Sequence, residues 1–308
     1  MSAERSRRGR GPDDRAELTV RVRPPAVVLE TAFLTAGLPK ERRGQAVERM
    51  IASVTAEGVV PAFVGIVEGE PVVGLTADET ARLSAGGGKA SARDLAAVVA
   101  RGENAGTTVA ATVLLADRAG LPVVATGGIG GVHPLPGPPD VSADLFQLAR
   151  SPVVLVCSGP KAFVDPVATF ERLESLGVAV LALGCDELPC FWTRDTGLAA
   201  HLRVDTAAEV AEIWAAARRL GEPGAILVCV PPPEEAALSR EENERAVGRA
   251  LRDLEMAGVT GPRVTPYLLT RIAAYTDGRS VDANLALLAE NARVAAKISV
   301  RCSVISGQ

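Results

Sequence analysis

Short runs of β-branched and aliphatic residues, at 26–29, 59–67, 122–125, 152–157, 178–183 and 226–230, recur along the chain with longer amphipathic stretches between them. Runs this short that are apolar at nearly every position read as strands buried on both faces, as in a parallel sheet covered by helices. The intervening stretches carry helical spacing at 40–57, 77–83, 107–118, 142–150, 166–176, 207–219, 240–256 and 283–298. Thr76 and Glu79 mark one helix start as a capping box. The alternation predicts an α/β protein, a three-layer α/β/α arrangement around a central, mostly parallel sheet. With 308 residues and 47% hydrophobic content, the chain can enclose one large core. No repeat or long linker interrupts 25–308, so a single domain is expected there, and the charged stretch 1–24 reads as a disordered tail.

Charge narrows the partners. A formal charge of -4 and a pI near 5.5 offer no broad basic surface to neutralise phosphates, so no nucleic-acid partner is expected. No run of about 18 apolar residues is present. No apolar stretch follows the Arg7-Arg8 pair, so a cytoplasmic protein without membrane segments is expected. The cysteines Cys157, Cys185, Cys190, Cys229 and Cys302 show neither disulfide-framework nor zinc spacing and read as reduced core residues.

In α/β proteins ligand chemistry collects at strand C-termini, which singles out four loops. They begin at Glu30, at Gly127 (Gly-Gly-Ile-Gly-Gly-Val-His), at Ser158 (Ser-Gly-Pro-Lys) and at Pro231. The glycines from Gly127 to Gly131 can bring backbone N–H groups close to a phosphate, or form a tight structural turn. His133 stands where a dinucleotide fingerprint needs its third glycine, so that motif is not matched. The segment Gly86-Gly-Gly-Lys89 lacks the Gly-Lys-Ser/Thr ending of a P-loop, which disfavours nucleotide hydrolysis. Only four of the 33 basic residues are lysines. Lys161 therefore draws notice: after an apolar strand, partial burial favours a neutral, nucleophilic amine, whereas a loop lysine in water would be an ammonium. Glu30 reads either as a carboxyl poised by burial or as the first exposed residue after its strand. Asp140 and Asp144 flank a helix start, where Asp140 or Ser142 serves as a cap or Asp140 holds a hard cation through one carboxylate and water.

Taken in order, these segments resemble the pseudouridine-5′-phosphate glycosidase family. The resemblance runs from about Pro25 to Ile298 and rests on Val28-Leu-Glu-Thr31, Gly37-Leu-Pro39, the stretch from Val60 to Val73, Lys89-x-Ser-x-Arg-Asp-Leu95 and Gly106-Thr-Thr-Val109. It continues through Ala125 to His133, Asp140-x-Ser-Ala-Asp-Leu145, Val156-Cys-x-Gly-x-Lys161, Thr265-Pro-Tyr-Leu-Leu269 and Asn284. It implies Glu30 as general acid/base, Lys161 as the covalent Schiff-base nucleophile and Asp140 as a manganese (Mn2+) ligand. Lys89, Val109, Ser142, Ala143 and Asp144 match substrate-contacting positions. Asn284 matches the contact to the base, and His133 would join the glycines around the phosphate of ribose 5-phosphate. A homotrimer is also implied.

The chemistry explains such a set. A C-glycoside offers no heteroatom leaving group at C1′, so the paired-carboxylate route of ordinary glycosidases is insufficient. If Glu30 assists ring opening, the Lys161 amine adds at C1′ and its iminium accepts the electrons of the breaking C–C bond. The sequence also departs from the family. Ala32 and Ala36 replace a hydroxyl and an imidazole, and Val230 replaces an amide. Lost polar groups imply lost ligand atoms, since a buried polar group without a partner costs roughly 1–3 kcal/mol. These departures favour a C-glycosynthase that joins ribose 5-phosphate to a carbon-nucleophile aglycone. The alternative is a pseudouridine-5′-phosphate glycosidase yielding uracil. A non-catalytic sugar-phosphate-binding protein would be expected to have lost Glu30 or Lys161, and a plain Schiff-base aldolase stands further off.

Overall fold

The computed structural model describes residues 17–134 and 140–307. The chain opens with Thr19–Val20 (β1) and Ala26–Leu29 (β2), then a π-helical turn at Phe33–Gly37 and Lys40–Thr55 (α1). Val60–Val67 (β3), Glu70–Val73 (β4), Ala77–Gly86 (α2), Gly88–Ala90 (β5), Leu95–Arg101 (α3), Ala105–Thr107 (β6) and Val109–Arg118 (α4) follow. The middle of the chain forms Val123–Ala125 (β7), Val132–His133 (β8), Asp140–Val141 (β9), Ala143–Leu148 (α5), Val154–Cys157 (β10), Pro166–Ser175 (α6) and Ala179–Leu183 (β11). Leu202–Val204 (β12), Ala207–Leu220 (α7), Ile226–Cys229 (β13), Arg240–Ala257 (α8), Val264–Tyr275 (α9) and Arg279–Ser306 (α10) complete it.

The central sheet runs β3-β2-β7-β10-β13-β11-β12, parallel throughout. The period of two along each strand sorts its side chains to opposite faces. Val27 and Leu29 of β2, with Val154 and Val156 of β10, join the core under α1, α7, α8, α9 and α10. Ala26 and Val28, with Leu155 and Cys157, join the core under α3, α4, α5 and α6. That is why these strands read as unbroken apolar runs. The run at 59–67 does two jobs: Val60 to Phe63 pair in parallel with β2, and Val64 to Val67 pair antiparallel with β4. β6 also joins β3 antiparallel and carries β5 beside it in parallel.

The capping box is present, with Thr76 Oγ1 accepting from the Glu79 N–H and the Glu79 carboxylate accepting from the Thr76 N–H. The expected tail ends earlier than residue 24. Thr19–Val20 pair in parallel with Val72–Val73, Arg21 holds Glu79 at 2.6 Å, and Leu18 and Val22 pack on the core. The alternation of apolar and polar residues in Leu18 to Val22 fits a sheet edge, a signal hidden by the charged composition before it. The rest of the expected tail, 1–16, lies outside the described residues, as do 135–139, which read Leu-Pro-Gly-Pro-Pro.

Candidate active site

β2, β7 and β10 are neighbours in the sheet, so the residues following them converge at one end of the molecule. Glu30 follows β2, the glycine loop follows β7, and Ser158 to Lys161 follow β10. The last two run side by side: Ile129 N–H donates to Gly159 O at 3.1 Å, and Lys161 N–H donates to Ile129 O at 2.9 Å. Lys89 arrives from β5, and Val109 opens α4 behind its cap Thr108. Together they enclose a cavity of about 650 Å³. The ten residues matched to catalytic, substrate and metal positions line it: Glu30, Lys89, Val109 and Lys161, then His133, Asp140 and Asn284, then Ser142, Ala143 and Asp144.

Glu30 is 7% exposed and accepts a hydrogen bond from Thr126 Oγ1. Burial pushes its carboxyl above the ordinary range; the charge of Lys161 and the Thr126 hydroxyl oppose the shift without cancelling it. The ammonium of Lys89 is held below its usual range by burial and then by the charge of Lys161, against the pull of Asp144 and Glu30. Burial likewise lowers His133, whose ring stacks on Phe163 at 6.1 Å and whose Nδ1 finds no partner among the described residues. A buried carboxyl, two lysines and an imidazole thus share one cavity, the clustering expected of acid–base and nucleophilic chemistry.

Asp144 does something the sequence did not announce. Its Oδ1 accepts the Ala110 N–H of α4 at 2.9 Å and its Oδ2 accepts the Gly130 N–H at 2.8 Å. It thereby ties the first turn of α4, a natural anion site, to the glycine loop. Two N–H groups of the kind a phosphate could use, those of Ile129 and Gly130, are already engaged within the protein. Packing accounts for the glycines. A Cβ on Gly130 would lie 2.3 Å from Ser142 Oγ, and one on Gly128 would lie 2.6 Å from the Phe191 ring. Of the two capping candidates, Ser142 is the cap, accepting the Asp144 N–H at 3.2 Å.

Asp140 is exposed at the cavity rim and pairs across the β8–β9 ribbon with His133. Among the described residues no cage of three His, Cys, Asp or Glu side chains forms. The donors fit only a hard cation held through one carboxylate and otherwise by oxygens of water or substrate.

Several lining residues escaped sequence reasoning. Phe33, Phe146, Phe163 and Phe191 all reach the cavity, four of the six phenylalanines in the chain. Ala32 and Ala36 line it as well, but Val230 does not: it is 4% exposed within the core, its N–H bonded to Cys157 O. Asn291, fully buried on α10, donates to Thr126 O at 2.9 Å and to Ser158 Oγ at 3.1 Å, joining the loops after β7 and β10. Its spacing of seven from Asn284 puts both amides on one face of α10, and that was the only available signal.

The model of the family described as indigoidine synthase A like protein matches residues 17–301. A pseudouridine-5′-phosphate glycosidase of Chloroflexus aurantiacus is 46% identical over 284 residues, covering 90% of this chain and 93% of that protein. Its counterpart from Thermus thermophilus is 45% identical over 284 residues, with coverage of 91% and 98%. Among solved structures, an indigoidine synthase A (IdgA)-like protein of Thermotoga maritima has a TM-score of 0.87 at 36% identity, covering 92% and 96% of the two chains. The prealnumycin C-glycosynthase AlnA, in complex with ribulose 5-phosphate, has a TM-score of 0.84 at 32% identity, covering 94% and 98%.

Proposed function

Since the chain belongs to the indigoidine synthase A-like family and is an enzyme of the pseudouridine-5′-phosphate glycosidase type, we propose that it cleaves, reversibly, the C–C bond between uracil and ribose 5-phosphate. The observation that carries this reading is the meeting of buried Glu30 with Lys161 and Lys89 in one cavity. The sequence departures had favoured synthesis with another aglycone. The identity to curated glycosidases exceeds that to the C-glycosynthase, so cleavage comes first.

Glu30, whose burial favours the protonated form, gives a proton to the ring oxygen as the ribose opens, and the Lys161 amine adds at C1′. Loss of one proton from the added nitrogen restores its lone pair, which expels C5 of uracil as that carbon takes up a proton, and leaves an iminium between C1′ and Lys161. Water hydrolyses the iminium, releasing ribose 5-phosphate and the free amine. Lys89 supplies positive charge for the phosphate, with His133 beside it. Asn284 makes no side-chain hydrogen bond among the described residues and lies against Gly127, so its amide is available to the base. Ser142 to Asp144 form the wall facing the sugar. Mn2+ at Asp140 would order water and hydroxyl oxygens. A cytoplasmic homotrimer accompanies the proposal, to be measured by light scattering and fractionation.

The second reading, C-glycosynthase, is favoured by the apolar wall of phenylalanines with Ala32 and Ala36. One experiment decides between them: kcat/KM for pseudouridine 5′-phosphate cleavage, beside a panel of aromatic carbon nucleophiles supplied with ribose 5-phosphate. Rapid cleavage supports the glycosidase; coupling of a larger aromatic without cleavage supports the synthase.

A further inference from the structure

We propose that Thr126 is the positioning residue for Glu30, its hydroxyl fixing one carboxyl oxygen while Asn291 fixes the Thr126 peptide from the other side. The inference rests on the reading of Glu30 as the proton-transfer group. β2 and β7 are in register at Leu29 and Ala125, so Glu30 and Thr126 stand on the next rung of the same parallel pair. Side chains on one rung of a parallel pair share a face. Thr126 is 1% exposed, and its Oγ1 donates to Glu30 Oε1.

The peptide that carries this hydroxyl is held twice. Thr126 N–H donates to Val156 O at 3.0 Å, and Thr126 O accepts from Asn291 Nδ2 at 2.9 Å. The same Asn291 amide reaches Gly127 O at 3.3 Å and Ser158 Oγ at 3.1 Å. Thr126 therefore cannot shift without disturbing the loop that ends in Lys161. With Oε1 occupied by Thr126, Glu30 keeps Oε2 for the reacting sugar.

A hydroxyl suits a group that must change protonation state. It donates to a carboxylate and accepts from a carboxylic acid, whereas a cation would favour the ionised form alone. The charges acting on Glu30 are those of Lys161, Lys89 and Asp144. Alongside the two lysines, and against burial and Asp144, the Thr126 hydroxyl adds a directed contact that favours the carboxylate.

The test compares wild type with Thr126→Val and Thr126→Ser. The Glu30 carboxyl is followed by pH-difference infrared spectroscopy, its band assigned with Glu30→Gln. Thr126→Val should move the Glu30 titration to higher pH and lower kcat on the order of tenfold, with KM within about twofold of wild type. Thr126→Ser should restore both. If the valine variant fails to fold, Thr126→Ala serves with the same expectation. An unmoved Glu30 titration in the folded valine or alanine variant overturns the proposal. A moved titration without wild-type cleavage of pseudouridine 5′-phosphate supports the Thr126 contact and overturns the glycosidase reading instead.

Discussion

Replacing Asp144 by alanine separates a structural role from a ligand-binding one, because the two make different demands on the protein without substrate. Its carboxylate is 6% exposed and accepts two backbone N–H groups, Ala110 at 2.9 Å and Gly130 at 2.8 Å. Alanine would leave both donors without their partner, at roughly 1–3 kcal/mol each. A total of about 4 kcal/mol follows for two donors. At about 2–4 °C per kcal/mol for domains somewhat shorter than this one, that lowers Tm by roughly 8–16 °C. An asparagine in the same place would keep one acceptor and turn an N–H donor towards the other backbone donor, so Asp144→Asn should fall between wild type and Asp144→Ala. Differential scanning calorimetry without ligand makes the measurement. An Asp144→Ala melting point within about 2 °C of wild type would refute the tie between α4 and the glycine loop. Asp144 would then belong to the substrate alone.

Glu30→Gln should show a gain in stability that grows with pH. The folded-state pKa of Glu30 is raised by burial, so the folded protein holds this proton where the unfolded chain has released it. Wild-type stability therefore falls as pH rises from the ordinary carboxylate range through the folded value, and the glutamine variant lacks that fall. Denaturant titrations across pH test it; a constant difference contradicts it. Activity should be lost to a chelator and restored by Mn2+, and Asp140→Ala should not be restored at the same Mn2+ concentration. Full activity after rigorous chelation would remove the manganese assignment. Ala36→His should change the preference among aglycones, read as kcat/KM ratios, because Ala36 lines the cavity. Val230→Asn should instead cost roughly 1–3 kcal/mol of stability by burying an amide without a partner.

The strands were legible because the parallel sheet buries both faces of each one. Every apolar run predicted became a strand within a residue or two of its expected ends, and the long helices followed their periodicity. The shorter pieces were not legible. The turn Phe33–Gly37 and the strands β5, β6 and β12 span so few residues that no period can establish itself, and their pairing comes from distant partners. α3 and α9 were missed too: Leu95–Arg101 is only seven residues long, and Val264–Tyr275 has Pro266 in its first turn. At the site, Glu30, Lys161 and the glycine loop were visible as strand-end residues. Thr126 and Asn291 were not, since a threonine after a strand and an asparagine within a long helix have many ordinary explanations. Val230 shows the opposite failure. It ends an apolar run beside the site, yet its side chain belongs to the core and not to the cavity.

The covalent step offers the most direct measurement. Ribose 5-phosphate and borohydride should reduce the iminium in place and leave one stable adduct, located by peptide mass spectrometry on Lys161. Lys161→Ala and Lys161→Arg should take up no label, whereas Lys89→Ala should still be labelled at a higher concentration of sugar phosphate. Labelling on Lys89, or unchanged labelling in Lys161→Ala, would contradict the assignment of Lys161 as the nucleophile.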